Sequence, residues 1–453
     1  MSEILFQYSK VPPTTWVYLS SLLTIGLYFK FSRVWSVRNL DLIGLILLAP
    51  GLLMVEYGLA NSDVRVEQGG YIWLFATGVL LMIRLLLDPI MVRRPLLEPN
   101  LTAGGMTFLG VSLLIFLLAN IVNSKIEPDD LVGVKGAENV QALEAPGPEE
   151  EQALATHGPG YPLLHLLPSL STQALMIEDT AVNPRERDLR RDRVRIATAR
   201  TMAILSQLAI VAGMVLIGYR HFNNIRTGIA AATLYLLLPY TAQLTGRVDH
   251  ALPAALLVWA VVLYRRPMLA GIFIGMAIGA IYYPVFLLPL WLGFYWQRGL
   301  LRFSVGVALT LVISVASLAF ISDSPATFWS QVQQMFGWTS LATEDLQGFW
   351  SFGIVDPAFR YPVLVLLGVF CVSLAVWPAQ KNLGTLMSCS AAVMLGTQFW
   401  HPNGGGLYMA WYLPLILLTV FRPNLEDRVA LSVLGEGWFP KRRNNVGGIV
   451  QAA

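Results

Sequence analysis

Charge is scarce in this sequence. Only 13% of its 453 residues are Asp, Glu, Lys or Arg, where an average soluble domain carries about 25%. Cysteine is nearly absent as well. Cys371 and Cys389 each fall inside an apolar run, which excludes a disulfide framework and a cysteine metal cluster. There is no Walker loop, no haem-type histidine pair, no metal-ligand cluster and no nucleic-acid signature. No alternating ten-residue strand pattern occurs, so a membrane β-barrel is excluded. The opening stretch "MSEILFQYSKVPPTT" shows no basic region followed by a cleavage site, so the first apolar run is expected to be retained.

What the chain has in abundance is apolar length: 55% of its residues are hydrophobic. Runs of spanning length recur at roughly 14–31, 41–59, 71–89, 103–123, 199–219, 227–245, 250–264, 268–282, 284–297, 303–322, 361–378, 384–399 and 407–421, about thirteen in all. The expected fold is therefore all-α, a polytopic membrane bundle, since only helices satisfy their own backbone within lipid once barrels are excluded. The stretch 268–297 reads either as one long helix or as two short ones broken at Pro284. Basic residues at Arg33, Arg38, Arg93, Arg94, Arg265, Arg266 and Lys381, with "YRHFNNIR", "QRGLLR" and "FPKRRNN", fall on one face, which is expected to be cytoplasmic. The basic run "RERDLRRDRVR" (185–195) falls on the other face. A rival reading makes 160–177 a span and moves that run inside.

Three segments follow from this layout: an N-terminal three-span extension (1–100), a transmembrane core (101–421) with long outer loops at 124–198 and 323–360, and a cytoplasmic tail (422–453). The first loop carries the acids "EPDDL", a solvated run at Glu149, Glu150 and Glu151, and the apolar piece "GPGYPLLHLLPSLSTQALM", whose prolines suit a helix lying in the interface. The second carries Trp329, Trp338 and Trp350, expected to anchor at headgroup depth or line a lipid groove.

Against this apolar background "QLTGRVDHALPA" (243–254) stands out, because it sets Arg247, Asp249 and His250 at the mouth of a span. Ionisable residues in such places are commonly functional and face the protein interior; the bland alternative is that they face water. Gly271, Gly275 and Gly279 repeat every four residues and are expected to form a helix-packing stripe.

The order of these pieces resembles the GT-C superfamily of membrane glycosyltransferases. Within it the pattern is most similar to the protein-mannosyltransferase and aminoarabinose-transferase types and to mannosyltransferases that use polyprenyl-phosphate mannose. "HGPGYPLLHLL" (157–167) stands where that family has a His-Pro-Pro-Leu segment. "TARTMAILSQLAIVAGMVLIGYRHF" (198–222) is similar to an Arg-led core span with its basic turn. "GRVDHALPAALLVWAVVLYRRPMLAGIFIGMAIG" is similar to the next two spans, and "LYMAWYLPLILL" (407–418) to the closing one. The resemblance covers about residues 103–421 and leaves the first three spans unaccounted for. The family usually has Asp-Glu followed by a Tyr past its first core span; here "EPDDL" stands with no nearby tyrosine.

The resemblance implies transfer of a sugar from a polyprenyl-phosphate donor to an acceptor at the outer face of the plasma (inner) membrane. An attacking hydroxyl needs a carboxylate base. The leaving phosphate needs a cation, either Arg, Lys or a divalent metal such as Mg or Mn. Asp129 and Asp130 are then the candidate bases. Asp249 is the candidate to orient the acceptor, assist the base or bind metal. Arg247 and Arg200 are candidate phosphate partners, His250 a second donor, and His401, His157 and Tyr161 candidate walls of the substrate site. Two other classes fit the same layout: a lipid-linked sugar transporter or flippase, and a non-catalytic scaffold of GT-C shape.

Overall fold

Five of the apolar helices begin at a polar residue whose side chain satisfies free amides of the first helical turn. In the computed structural model, Ser36 accepts from Asn39 N, Asp63 from Arg65 N and Val66 N, Thr102 from Gly105 N, Asn224 from Thr227 N and Asn382 from Thr385 N. The structure describes residues 11–91, 97–124, 126–142, 157–174, 184–322, 324–335, 337, 346–379 and 381–423, and among these residues every regular element is helical.

In chain order the helices are α1 (Pro13–Tyr28), α2 (Val37–Ile46), α3 (Leu48–Asn61), α4 (Val64–Leu87), α5 (Ala103–Asn123), α6 (Val132–Ala142), α7 (Gly160–Ala174), α8 (Pro184–Arg220), α9 (Ile225–Leu237), α10 (Pro239–Gln243), α11 (Val248–Val262), α12 (Pro267–Ala280), α13 (Leu288–Tyr295), α14 (Leu300–Ile321), α15 (Pro325–Met335), α16 (Arg360–Val376), α17 (Leu383–Trp400) and α18 (Leu413–Phe421). Among the described residues, six stretches are long and apolar enough to cross a bilayer: Val37–Asn61, Val64–Ile90, Ala103–Asn123, Asp188–Arg220, Leu300–Phe320 and Pro357–Val376. Shorter apolar helices cover Ile225–Leu237, Val248–Val262, Pro267–Ala280 and Tyr283–Tyr295.

Burial sorts these helices into two kinds. On α16 the side chains of Val365, Leu366, Val369, Val372 and Val376 are exposed, as are Phe108, Val111 and Ile115 on α5 and Val312, Ile313 and Phe320 around α14. Apolar faces of that extent, open along whole helices, belong against lipid. By contrast, α11 and α17 are buried nearly all round. A helix that is apolar on every side is a core element, and these two form the centre of the bundle.

The doubtful stretch 268–297 is two pieces. α12 ends at Ala280, the backbone turns extended at Ile281, and a short 3-10 turn, Tyr283–Leu287, leads into α13. The basic run at 185–195 is the start of α8, which is 37 residues long. Such a helix extends about 55 Å, far beyond a hydrocarbon core of ~30 Å, so its charged first turns lie outside the core. Arg191 and Arg195 there both bond Glu138 of α6 at 2.8 Å. That pairing holds the Glu138 carboxyl below its usual range, its two Arg hydrogen bonds outweighing burial. The apolar piece of the first loop forms α7, which packs on α6 and α8. Of the second loop's aromatics, Trp329 is exposed on α15, and Trp350 is buried with its indole N–H donating to Phe399 O at 3.2 Å. Trp338 lies outside the described residues, as do Glu149, Glu150, Glu151 and the tail beyond 423.

The glycine stripe packs α12 against α14. A β-carbon at Gly271 would collide with Phe303 O, and one at Gly275 with Thr310 Oγ1. Gly279 lies against both α14 and the first loop: a β-carbon there would meet Ser314 Oγ at 3.0 Å and Gly160 Cα at 3.6 Å, while Gly158 N donates to Ala280 O at 2.8 Å and a β-carbon at Gly158 would strike Gly279 O. A Gly271→Val substitution is expected to lower stability by about 1–3 kcal/mol, since overpacking here meets backbone rather than a yielding side chain. The thermal midpoint in detergent measures it; an unchanged midpoint would show that α12 and α14 are not in close contact.

The first three helical stretches pack directly on the rest. Tyr28 Oη donates to Ala230 O at 2.9 Å, and the Phe75 ring meets Phe399 edge-on at 5.3 Å. At the far end of α4, Arg84 grips Asp41 at 2.6 and 2.9 Å and reaches Asp88 Oδ1 at 3.1 Å, while Arg422, just past α18, holds Asp88 Oδ2 at 2.7 Å.

Candidate active site

The end of α5 is where the first outer acids leave the bundle. Pro128 starts a 3-10 turn, Pro128–Leu131, in which Asp130 turns back so that its Oδ2 accepts from Glu127 N at 3.1 Å. That bond fixes Asp130 inward, and the side chain is buried, while Asp129 is left exposed on the outer side of the turn. Among the described residues no hydrogen bond or ion pair engages the Asp129 carboxylate.

α11 begins on the same side. Arg247 is its N-cap residue, and Val248, Asp249 and His250 form its first turn. Arg247 and Asp249 lie two apart in sequence, yet the irregular start of the helix lets the guanidinium fold over the carboxylate, with contacts of 3.3 Å at Oδ1 and 3.1 Å at Oδ2. The same guanidinium reaches Glu127 Oε2 at 3.1 Å and lies 3.3 Å from Asp130 Oδ1. One cation thus joins acids from two segments some 120 residues apart in sequence. The two groups of ionisable residues singled out in the sequence share one site.

Asp130 Oδ1 is the least satisfied atom there. It is buried and close to Arg247, but it accepts no hydrogen bond among the described residues. Burial pushes the Asp130 carboxyl up to about 6, and the nearby Arg247 charge only partly offsets that.

Behind the carboxylates lies an aromatic shelf. Tyr240 Oη and His250 Nδ1 are 2.5 Å apart, and His250 Nε2 is 3.8 Å from Asp249 Oδ2. The Tyr408 ring is sandwiched between His250 at 4.5 Å and His401 at 4.4 Å, and Tyr283 stacks on the other face of His401 at 4.6 Å. Trp411 Nε1 donates to Asp249 O at 3.1 Å. His401 Nδ1 accepts from Asn403 N at 3.1 Å, so its proton sits on Nε2, and burial holds this imidazole down at about 3, keeping it neutral. The loop folds this tightly because Gly404 and Gly406 adopt φ of 62° and 97°, a region open to glycine at no steric cost.

The remaining candidates divide. Tyr161 is buried within the fields of Asp249, Asp130 and Arg247, and His157 stacks on it at 4.3 Å while coupling electrostatically to Asp249. Both belong to the wall of the site, carried there by the Gly158 contact with α12. Arg200, on α8, donates from Nη2 to Ser124 O at 3.1 Å and so braces the end of α5 rather than joining the carboxylates. Its Nε is buried and finds no acceptor among the described residues. No group of three or more His, Cys, Asp or Glu side chains is arranged to hold a metal ion among the described residues.

Tyr240, Tyr283, Tyr408 and Trp411 were not legible as site residues. Each sits at the end of an apolar run, where aromatics ordinarily mark the membrane interface, and only the tertiary contacts set them apart. Comparison with known protein families, with curated proteins and with solved structures finds no match for this chain.

Proposed function

We propose that this protein is an inverting membrane glycosyltransferase that moves a sugar from a polyprenyl-phosphate donor to an acceptor. In this reading the chain crosses the inner membrane about thirteen times, with the site on the extracytoplasmic face. The observation that carries the reading is Asp130: a buried carboxylate whose Oδ1 accepts no hydrogen bond and lies 3.3 Å from Arg247, with Asp249 on the same guanidinium, at the outer ends of lipid-facing α5 and buried α11. A general base works best with a pKa near the operating pH, and about 6 suits that role.

The transfer balances as follows. Asp130 Oδ1 takes the proton of the acceptor hydroxyl as its oxygen bonds to sugar C1. The bond between C1 and the phosphate oxygen breaks on the opposite face, and the electron pair leaves with the polyprenyl phosphate. Arg247 keeps the Asp249 and Asp130 carboxylates at one place and limits their mutual repulsion. In this reading Arg247 meets the departing phosphate charge, while Arg200 braces the end of α5 through its bond to Ser124 O. A divalent cation, Mg or Mn, would supply further charge to the leaving phosphate if it binds.

The test is transfer of a labelled sugar from polyprenyl phosphate by the purified protein in proteoliposomes. Covalent transfer is expected, and its rate should fall about tenfold per pH unit below pH 6 as Asp130 takes up a proton. Movement of the intact lipid-linked sugar across the bilayer with no transfer would identify a flippase instead. Neither transfer nor movement would leave the scaffold reading, in which Arg247 serves to fasten the first outer loop to α11.

A further inference from the structure

Asp249 depends on a single partner. It is buried, and among the described residues the hydrogen bonds to its carboxylate come from Arg247 alone, at 3.3 and 3.1 Å. If Arg247 turns toward a departing phosphate, that carboxylate is left bare in the protein interior, where an unpaired charge is costly. One other donor stands by. His250 Nε2 lies 3.8 Å from Asp249 Oδ2. That is too far for a hydrogen bond, but a shift of about 1 Å brings the pair within range.

Whether His250 can serve depends on which ring nitrogen carries the proton. Tyr240 decides it. Its Oη lies 2.5 Å from His250 Nδ1 and bonds no other side chain among the described residues, and the backbone amide of Ala410 is directed at the same oxygen. With that oxygen met by an amide, the buried hydroxyl has Nδ1 as its acceptor, and burial penalises a hydroxyl left without one. Nδ1 therefore carries no proton. The imidazole is neutral, and its proton sits on Nε2, facing Asp249. Tyr408 holds the ring in this pose by stacking on it at 4.5 Å, and Trp411 Nε1 pins the Asp249 main chain at 3.1 Å.

We infer that Tyr240 and His250 are positioning residues for the proposed transfer. Tyr240 holds His250 as the Nε2–H tautomer, and His250 takes over the Asp249 carboxylate as Arg247 moves to the leaving phosphate. The positioning role rests on the transfer reading; the tautomer does not.

The first measurement is ring-nitrogen NMR of the full chain in detergent, labelled with nitrogen-15 histidine. Loss of signals in His250→Gln identifies those of His250. The neutral Nε2–H form is expected at neutral pH, and Tyr240→Phe should end its dominance. An Nδ1–H form or an imidazolium in the unaltered protein overturns the inference, whether or not sugar is transferred. The second measurement is transfer kinetics. Tyr240→Phe and His250→Ala should each lower kcat about tenfold to a hundredfold, the factor for one hydrogen bond to a charged group. KM for the donor should change less than about twofold, as for an interaction made only in the transition state. His250→Gln, whose amide can still donate to Asp249, should recover much of the loss. Equal loss in the Ala and Gln variants, or a raised KM with kcat intact, overturns the positioning role. The Nε2–H tautomer in a protein that transfers no sugar overturns the transfer reading, and this role falls with it.

Discussion

Replacing Asp130 with Asn is expected to cost at least a hundredfold in sugar transfer while leaving the fold intact. A positioned base contributes about 10²–10⁴-fold, and an amide in its place cannot take the proton. Asn preserves the shape, and its side-chain oxygen can still accept from Glu127 N as Asp130 does at 3.1 Å. Asp249→Asn should cost less, about tenfold to a hundredfold. It weakens the two contacts that hold Arg247 in place, at 3.3 and 3.1 Å, without removing the base. Asp129→Asn should be nearly silent, because Asp129 is exposed and makes no ion pair among the described residues. The three variants form a ranked series read by initial rates at saturating donor. If Asp129→Asn proved the most damaging and Asp130→Asn transferred normally, the base would have been assigned to the wrong member of the pair. If all three were normal, the cluster would be a fastening and not a site.

The second large effect is on stability, at the opposite end of the bundle. Asp88→Ala should destabilise the protein by about 3–5 kcal/mol, the range for removing one member of a buried ion pair. Asp88 is 0% exposed and receives both Arg84 at 3.1 Å and Arg422 at 2.7 Å. Arg84 would keep Asp41 as its partner, but Arg422 would be left as a buried charge without its acid. Arg422→Met alone should also be costly, and the double variant should regain part of the loss because no uncompensated charge remains. A double-mutant cycle on thermal unfolding in detergent measures that coupling. A single-variant loss below about 1 kcal/mol would mean that the network is open to water. This interaction ties the end of α4 to the last described turn of the chain, so α4 is held to the core by charge as well as by packing.

Several features were readable from residue order alone. The scarcity of charge and the recurring apolar runs dictated an all-helical membrane chain, because lipid leaves the backbone no other partner than itself. The bounds of α5, residues 103–123, agree with its apolar run to the residue, since Thr102 caps one end and the polar pair Asn123 and Ser124 closes the other. The charged mouth of α11 stood out for the same reason, as ionisable side chains are conspicuous where almost everything else is apolar.

Other features depend on distance between residues far apart in sequence. Periodicity did not tell which apolar helices face lipid and which lie in the core, as α11 and α16 read alike and differ only in what surrounds them. Nor did it separate Asp129 from Asp130. Neighbours in sequence with the same chemistry, they part because a 3-10 turn directs one inward and the other to solvent. The stacking of Tyr408 between His250 and His401 joins two segments of the chain, with Tyr283 and Tyr240 added from two more. Local pattern established that this protein lives in a membrane and where its rare charges fall. Tertiary packing alone decided which of those charges meet, because a side chain's burial and partners are set by what the rest of the chain brings to it.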